Sequence, residues 1–135
     1  MQILVTIPAY NEEKTIGILI SRIHKVMKSN NYKYKILVVD DGSIDKTANI
    51  AKNAKAIVYS HPKNYGLAET FKSEVKRALE LKADVIVHID ADTQYSPEEI
   101  PKLIKEIENG YDLVLGSRFM GKIEYMPLIN RIGNI

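Results

Sequence analysis

The stretch Val85-Ile86-Val87-His88-Ile89-Asp90-Ala91-Asp92-Thr93-Gln94 runs from apolar, mostly β-branched residues straight into two aspartates one residue apart. A short apolar run of this kind reads as a fully buried strand. Asp90 and Asp92 then stand at its exposed end, where two carboxylates so close do not both ionise comfortably without a counter-charge. A hard divalent cation with oxygen ligands meets that need, and such an ion often shares its shell with phosphate oxygens. Thr93 and Gln94 add neutral oxygens suited to Mg2+ or Mn2+. The alternative is local: Asp92 and Thr93 forming an Asx-type turn that leads into the next helix.

Working outward, the same alternation recurs along the chain. Ile3 to Ile7 is a buried-strand run stopped by Pro8, and Lys35 to Val39 is a second, ending in Asp40-Asp41-Gly42-Ser43. Ala56 to Tyr59 is a third, Asp84 to Ile89 the fourth, and residues 111–115 the fifth. Between them, Ile16, Leu19, Ile20, Ile23 and Val26 predict an amphipathic helix over 13–29, and a second spans 45–53. Leu67, Phe71, Val75, Ala78 and Leu79 predict the buried face of a third. Ser96-Pro97-Glu98-Glu99 is a helix start, with Ser96 as N-cap, and Ile100, Leu103, Ile104 and Ile107 follow on one face until Asn109-Gly110. Strand and helix alternating five times imply an α/β domain with a largely parallel sheet covered by helices on both faces. Parallel crossovers place Pro8, Asp40, Ser60, Asp90 and Gly116 along one sheet edge, where ligands of open α/β sheets bind. After Gly116 the pattern decays, so residues 1–116 are expected to form the domain. Residues 117–135 are expected to begin an incomplete further segment, with its apolar residues in self-association, membrane contact or disorder.

Composition narrows the classes. A chain of 135 residues with 45% hydrophobic and 27% charged residues is one globular domain rather than a disordered segment. A net charge of +2, with Lys and Arg spread along the chain, argues against nucleic acid as a partner. The absence of cysteine excludes disulfides, thiolate metal sites and a cysteine nucleophile. There is no apolar run of about 18 residues to span a membrane and no leader-like start, so a cytoplasmic protein is expected.

Around the sheet edge, three further groups carry chemistry. Asp40-Asp41 repeats the arrangement of a buried strand delivering carboxylates. Asp40 is expected to contact ligand, while Asp41 and Ser43 divide evenly between ligand contact and loop structure. Pro8-Ala9-Tyr10-Asn11-Glu12-Glu13 stands where a dinucleotide-binding fold would carry its glycines, and has none. It offers Tyr10 for stacking on a base and Glu12 for hydrogen bonding, against a reading in which Tyr10 joins the core and the glutamates favour the helix dipole. Arg118 and Arg131, two of only four arginines, suit phosphate recognition, against a reading as solvated surface arginines that for Arg131 weighs equally on position alone. His24, His61 and His88 have no metal-ligand spacing, and His88 is expected to be a satisfied core histidine. No Ser/His/Asp arrangement is evident.

Taken together, V-T-I-P-A-Y-N-E-E, V-V-D-D-G-S-x-D-K-T, H-I-D-A-D-T-Q and G-S-R-F with M-P-L-I-N-R-I-G-N make the whole chain resemble glycosyltransferase family 2. Within it the polyprenyl-phosphate sugar transferases, dolichyl-phosphate mannosyltransferases above all, are the nearest in pattern. The resemblance implies a three-layer α/β/α, Rossmann-like GT-A nucleotide-sugar-binding fold. It gives Pro8, Tyr10, Glu12, Asp40, Asp90 and Ala91 to the nucleotide, and Asp90, Asp92 and Gln94 to Mg2+ or Mn2+. Asp92 and Arg118 take catalytic roles, and Arg118 and Arg131 hold the phosphate of a lipid acceptor. The implied reaction inverts the sugar as it passes, mannose from GDP-mannose first among donors and UDP-sugars second, to a polyprenyl or dolichyl phosphate at a membrane surface. A homo-oligomer is a further expected state. Full-length members of the family run well beyond this chain, so a partial, non-catalytic nucleotide-sugar-binding module is the competing expectation. A phosphoacceptor receiver domain is disfavoured because Gly116-Ser117-Arg118 stands where its lysine would be.

Overall fold

A computed structural model of the chain describes residues 1–92 and 96–116. Two compact units divide it, residues 1–101 and 102–135. In the first, β1 (Ile3–Ala9), α1 (Ile16–Ser29), β2 (Tyr34–Asp40), α2 (Thr47–Asn53), β3 (Ile57–Ser60), α3 (Leu67–Glu80) and β4 (Val85–His88) follow one another. A 3-10 turn (Pro97–Glu99) then leads into α4 (Ile100–Glu108). The sheet order is β3-β2-β1-β4, and every pairing is parallel. The α/β fold with a parallel sheet is as the alternating pattern predicts.

Side chains alternate across a strand, so each strand feeds two cores. Leu4, Leu37 and Val39 meet Ala78 of α3 on one face. The other face carries Val5, Ile7, Ile36 and Val38, all at 2% exposure or less, together with the buried stripe of α1: Ile16, Leu19, Ile20, Ile23 and Met27. Met27, not Val26, closes that stripe. The helix itself begins three residues later than its polar entry implies, because Glu12 and Glu13 are held in a loop.

Two expectations are corrected. Residues 111–115 form no strand: residues 111–116 take no regular structure, with Leu113 and Leu115 exposed at 75% and 79%. A short run of this kind becomes a strand only with a ladder neighbour, and among the described residues none pairs with it. The second correction concerns α3. Most of its apolar row faces outward, with Leu67, Phe71 and Leu79 exposed at 72%, 54% and 75%; of that row Ala78 is buried as expected, and Thr70 and Glu74 face in with it. Polar ties set this rotation. The Tyr65 and Gly66 N–H groups, just ahead of the helix, bind Asp41; Glu74 meets His88; and the Arg77 guanidinium lies 3.9 Å from the Tyr59 ring centroid.

Candidate nucleotide and cation site

Because all four strands are parallel, their carboxyl ends open onto one edge of the sheet, and a cleft of ≈ 320 Å³ lies there. Pro8, Ala9, Tyr10 and Glu12 line it from the end of β1, and Asp90, Ala91 and Asp92 from the end of β4. Asp41 contributes from β2, and Asn64, Gly66, Leu67 and Thr70 from the entry to α3. A shallow groove of ≈ 510 Å³ along the outer side of α1, between Glu13, Ile18, Arg22 and Ile50, lies away from the strand ends and gathers no carboxylate pair.

The loop after β1 owes its shape to the segment after β2. Asn11 N–H donates to Ser43 Oγ at 2.8 Å, Glu12 N–H to Thr47 Oγ1 at 2.8 Å, and Glu13 N–H to Asp45 Oδ2 at 3.3 Å. In return Ile44 N–H donates to Asn11 Oδ1 at 3.0 Å and Lys46 N–H to Glu13 Oε2 at 3.1 Å. Ser43 is therefore a loop-forming residue. The Thr15 hydroxyl lies 3.1 Å from Glu12 Oε2 and 3.2 Å from the Ala91 carbonyl, which ties the β1 and β4 ends together. Tyr10, 45% exposed, stands outside the core at the cleft, as a stacking residue must.

Asp40 and Asp41 have separate fates. Asp40 is 3% exposed and absent from the cleft lining; its oxygens accept from Ser43 N–H at 3.2 Å and the Ser60 hydroxyl at 3.1 Å. Asp41 reaches the cleft and clamps its far wall. Oδ1 lies 2.8 Å from His61 Nδ1 and accepts from Tyr65 N–H at 2.9 Å, and Oδ2 accepts from Gly66 N–H at 2.9 Å. Burial pushes the Asp41 carboxyl up, but the His61 hydrogen bond, the two backbone donors and the His61 charge together hold it below its ordinary value. His61 Nε2 meets Ser73 Oγ at 2.8 Å, so Asp41, His61 and Ser73 form the Ser/His/Asp arrangement that the sequence order hides. With His61 at 7% exposure and neither His61 nor Ser73 in the cleft lining, it fastens the 61–66 loop to α3. Gly42 permits the close fit of the two loops: at φ +75°, an added Cβ would stand 2.3 Å from the Lys63 carbonyl carbon.

Asp90 is half-exposed, and Asp92 is exposed at the cleft wall. Gln94, Arg118 and Arg131 lie outside the described residues, as does the segment 117–135. Asp90 and Asp92 both line the cleft, carboxylates of the kind a hard cation takes, and among the described residues no group of three His, Asp or Glu could hold an ion unaided. That suits an ion that completes its shell with diphosphate oxygens and water. Asn64, Leu67 and Thr70 line the cleft without having been expected among the site residues; the turn-rich His61-Pro62-Lys63-Asn64-Tyr65-Gly66 is the signal in the sequence that leads to them.

The model of the family described as glycosyl transferase family 2 matches residues 4–131. The chain belongs to that family. An uncharacterised Methanocaldococcus jannaschii relative is 45% identical over 98% of this chain and 54% of its own length. The family member named dolichol-phosphate mannosyltransferase from Pyrococcus furiosus is 38% identical over 98% of this chain and 38% of its own. In Methanococcus voltae, the UDP-N-acetylglucosamine–dolichyl-phosphate N-acetylglucosaminyltransferase is 36% identical over 98% and 59%. The chain thus spans about half the length, or less, of these relatives. Among solved structures, glucosyl-3-phosphoglycerate synthase from Mycobacterium tuberculosis, in complex with Mn2+, UDP-glucose and phosphoglyceric acid, superposes with a TM-score of 0.67 at 28% identity. The match covers 81% of this chain and 40% of that one. No helix among the described residues is long and apolar enough to cross a membrane.

Proposed function

We propose that this chain is the donor-binding part of an inverting, divalent-cation-dependent glycosyltransferase that passes a sugar from a nucleoside diphosphate to a polyprenyl or dolichyl phosphate. The observation that carries the reading is the convergence of Tyr10, Glu12, Asp90 and Asp92, from two separated motifs, on one cleft at the strand ends. Tyr10 stacks on the base, and Pro8, Glu12 and Ala91 shape its seat, with Asp41 rather than Asp40 presented to the ligand. Asp90, Asp92 and Gln94 hold Mg2+ or Mn2+, which when bound neutralises charge on the leaving diphosphate. Arg118 and Arg131 bind the acceptor phosphate, whose anionic oxygen attacks C1 of the sugar from the face opposite the leaving group. That oxygen is already ionised near neutral pH, so the step needs no general base.

GDP-mannose is the leading donor, supported by the Pyrococcus relative. A UDP-sugar is the second reading, favoured by the Methanococcus voltae relative and by the UDP-glucose complex of the mycobacterial neighbour. A lipid-borne acceptor lies in a membrane, and in this reading the protein is cytoplasmic, peripheral at the cytoplasmic membrane face, and a homo-oligomer.

A thermal-shift panel of GDP and UDP, each with and without Mn2+ or Mg2+, tests the donor site. One nucleotide is expected to stabilise the protein more with metal than without it, by about 2.7 kcal/mol with metal at a hundredfold excess over its Kd. Asp92→Ala is expected to abolish the metal-dependent part. The assignment falls if neither nucleotide stabilises with metal, or if the variant keeps the full shift.

A further inference from the structure

One chain of polar contacts leads out of the cleft into the interior. His88 Nε2 lies 3.4 Å from Asp90 Oδ1, and His88 Nδ1 lies 3.0 Å from Glu74 Oε2. The Glu74 side chain is 1% exposed and sits on the inward face of α3. Its other oxygen, Oε1, has no hydrogen-bond partner. Across the register from His88 stands Thr6, whose buried hydroxyl is likewise without a partner.

This is an awkward way to fill a core. A carboxylate taken out of water requires several hydrogen bonds to offset its desolvation, and Glu74 meets the imidazole through one oxygen while the other goes without. An apolar side chain on α3 at this point would bury more cheaply against the sheet. What Glu74 does supply is direction. By holding Nδ1 it fixes the imidazole plane, so that Nε2 is aimed along β4 toward Asp90. The Phe71 ring, edge-on with its centroid 6.1 Å from that of His88, holds the imidazole from the side. Glu74 and Asp90 on either side also hold the His88 imidazole above its ordinary pKa, chiefly through the Glu74 hydrogen bond against the opposing effect of burial.

We propose that His88 is a positioning residue of the donor site: anchored by Glu74, it fixes the rotamer of the Asp90 carboxylate on the cleft wall. The inference rests on reading the cleft as a nucleoside-diphosphate and cation site. It assigns two residues to that site that none of the motifs contains in a ligand position. Outer partners of this kind set the orientation of a ligating carboxylate, and their loss weakens cation affinity on the order of 10-fold.

Two measurements on the whole chain test it. Histidine side-chain 1H–15N spectra of the ligand-free protein are expected to show a protected Nδ1–H proton for His88 that moves in Glu74→Gln. A His88 ring free of such a proton overturns the bridge whatever the cleft binds. Mn2+ affinity by electron paramagnetic resonance, with GDP or UDP at saturation, is the second. His88→Ala and Glu74→Gln are expected to lower Mn2+ affinity on the order of 10-fold while leaving metal-free nucleotide affinity unchanged. His88→Gln, which keeps a donor near Asp90, is expected to recover most of the loss. A merely structural role would instead shift the thermal midpoint and both affinities together, with no rescue, and that result overturns the proposal. Unchanged Mn2+ affinity in folded His88→Ala also overturns it and leaves the donor site standing. A wild type that binds Mn2+ with neither nucleotide removes the donor site, and the positioning role with it.

Discussion

Asp40 and Asp41 are adjacent, identical in chemistry, and assigned by the fold to different jobs. The first turns inward onto Ser43 and Ser60, and the second reaches the cleft while holding His61, Tyr65 and Gly66. Asp41→Asn keeps the size but removes the charge facing His61 and two backbone donors, so it is expected to cost about 1–3 kcal/mol at neutral pH. The pH dependence has a definite sign. The folded Asp41 carboxyl lies below its ordinary value, so its contribution is fully present above the ordinary carboxylate range and lost as pH falls through the depressed value. Denaturant unfolding of both proteins across acidic pH is expected to show the gap between them closing in that window. A gap that is constant with pH would mean that the charge is not what Asp41 contributes. At this scale the sequence was partly readable. The strand identified the end to which both aspartates belong, but a side chain's direction after the last ladder residue depends on how the chain turns. That turn depends on Gly42 fitting against Lys63 and Asn64, residues 21 and more positions away. The same distance in sequence hid the Asp41–His61–Ser73 contact.

The elements were legible where burial alone decides them. The strand runs over 3–7 and 35–39 are largely apolar because most of their positions are covered on both faces, and both lie inside observed strands, although β1 continues through Pro8 to Ala9 rather than stopping at Pro8. Helix α3 shows the limit. Its row Leu67, Phe71, Val75 and Leu79 is a strong helical period, yet periodicity identifies a face that wants cover without saying which surface provides it. The rotation was settled by Glu74, Thr70 and the Asp41 clamp, none of which a hydrophobic pattern weighs. A pair of substitutions separates the two rotations. Leu79→Ala is expected to change stability by less than about 0.5 kcal/mol, whereas a buried leucine at that position would lose about 2–5. Ala78→Leu, one residue away, is expected to cost about 1–3 kcal/mol by overpacking against Leu4, Leu37 and Val39. Equilibrium denaturation of the two variants is the measurement, and reversed magnitudes would mean that the apolar row is the buried one.

Across residues 1–101, stability and ligand chemistry sit at different places on one sheet. Strand β1 is central, paired over seven residues with β2 and over four with β4. Val5, Ile7, Val38 and Val39 are at 0% exposure. Strand β4 is short, has one ladder neighbour among the described residues, and leaves Ile86 at 43% exposure. Yet β4 delivers Asp90 and Asp92. An edge strand with a single neighbour therefore carries the carboxylates, and the most buried strand carries Pro8, Ala9 and the wall opposite. Local opening follows such differences in burial and pairing, so amides of β1 and β2 are expected to exchange only through global unfolding. Those of β4 and Ile89, whose N–H groups reach back to β1 and Thr6, are expected to exchange faster through local opening. Adding Mn2+ with the nucleotide that binds is expected to slow exchange most over residues 84–92, because the ligand joins the β4 end to the β1 wall. The slowing at β1 and β2 is expected to be no more than the global stabilisation by binding. Peptide-resolved hydrogen–deuterium exchange measures both. Equal protection of β4 and β1 in the ligand-free protein, or a ligand effect spread uniformly along the sheet, would mean that cleft and core open as a single unit.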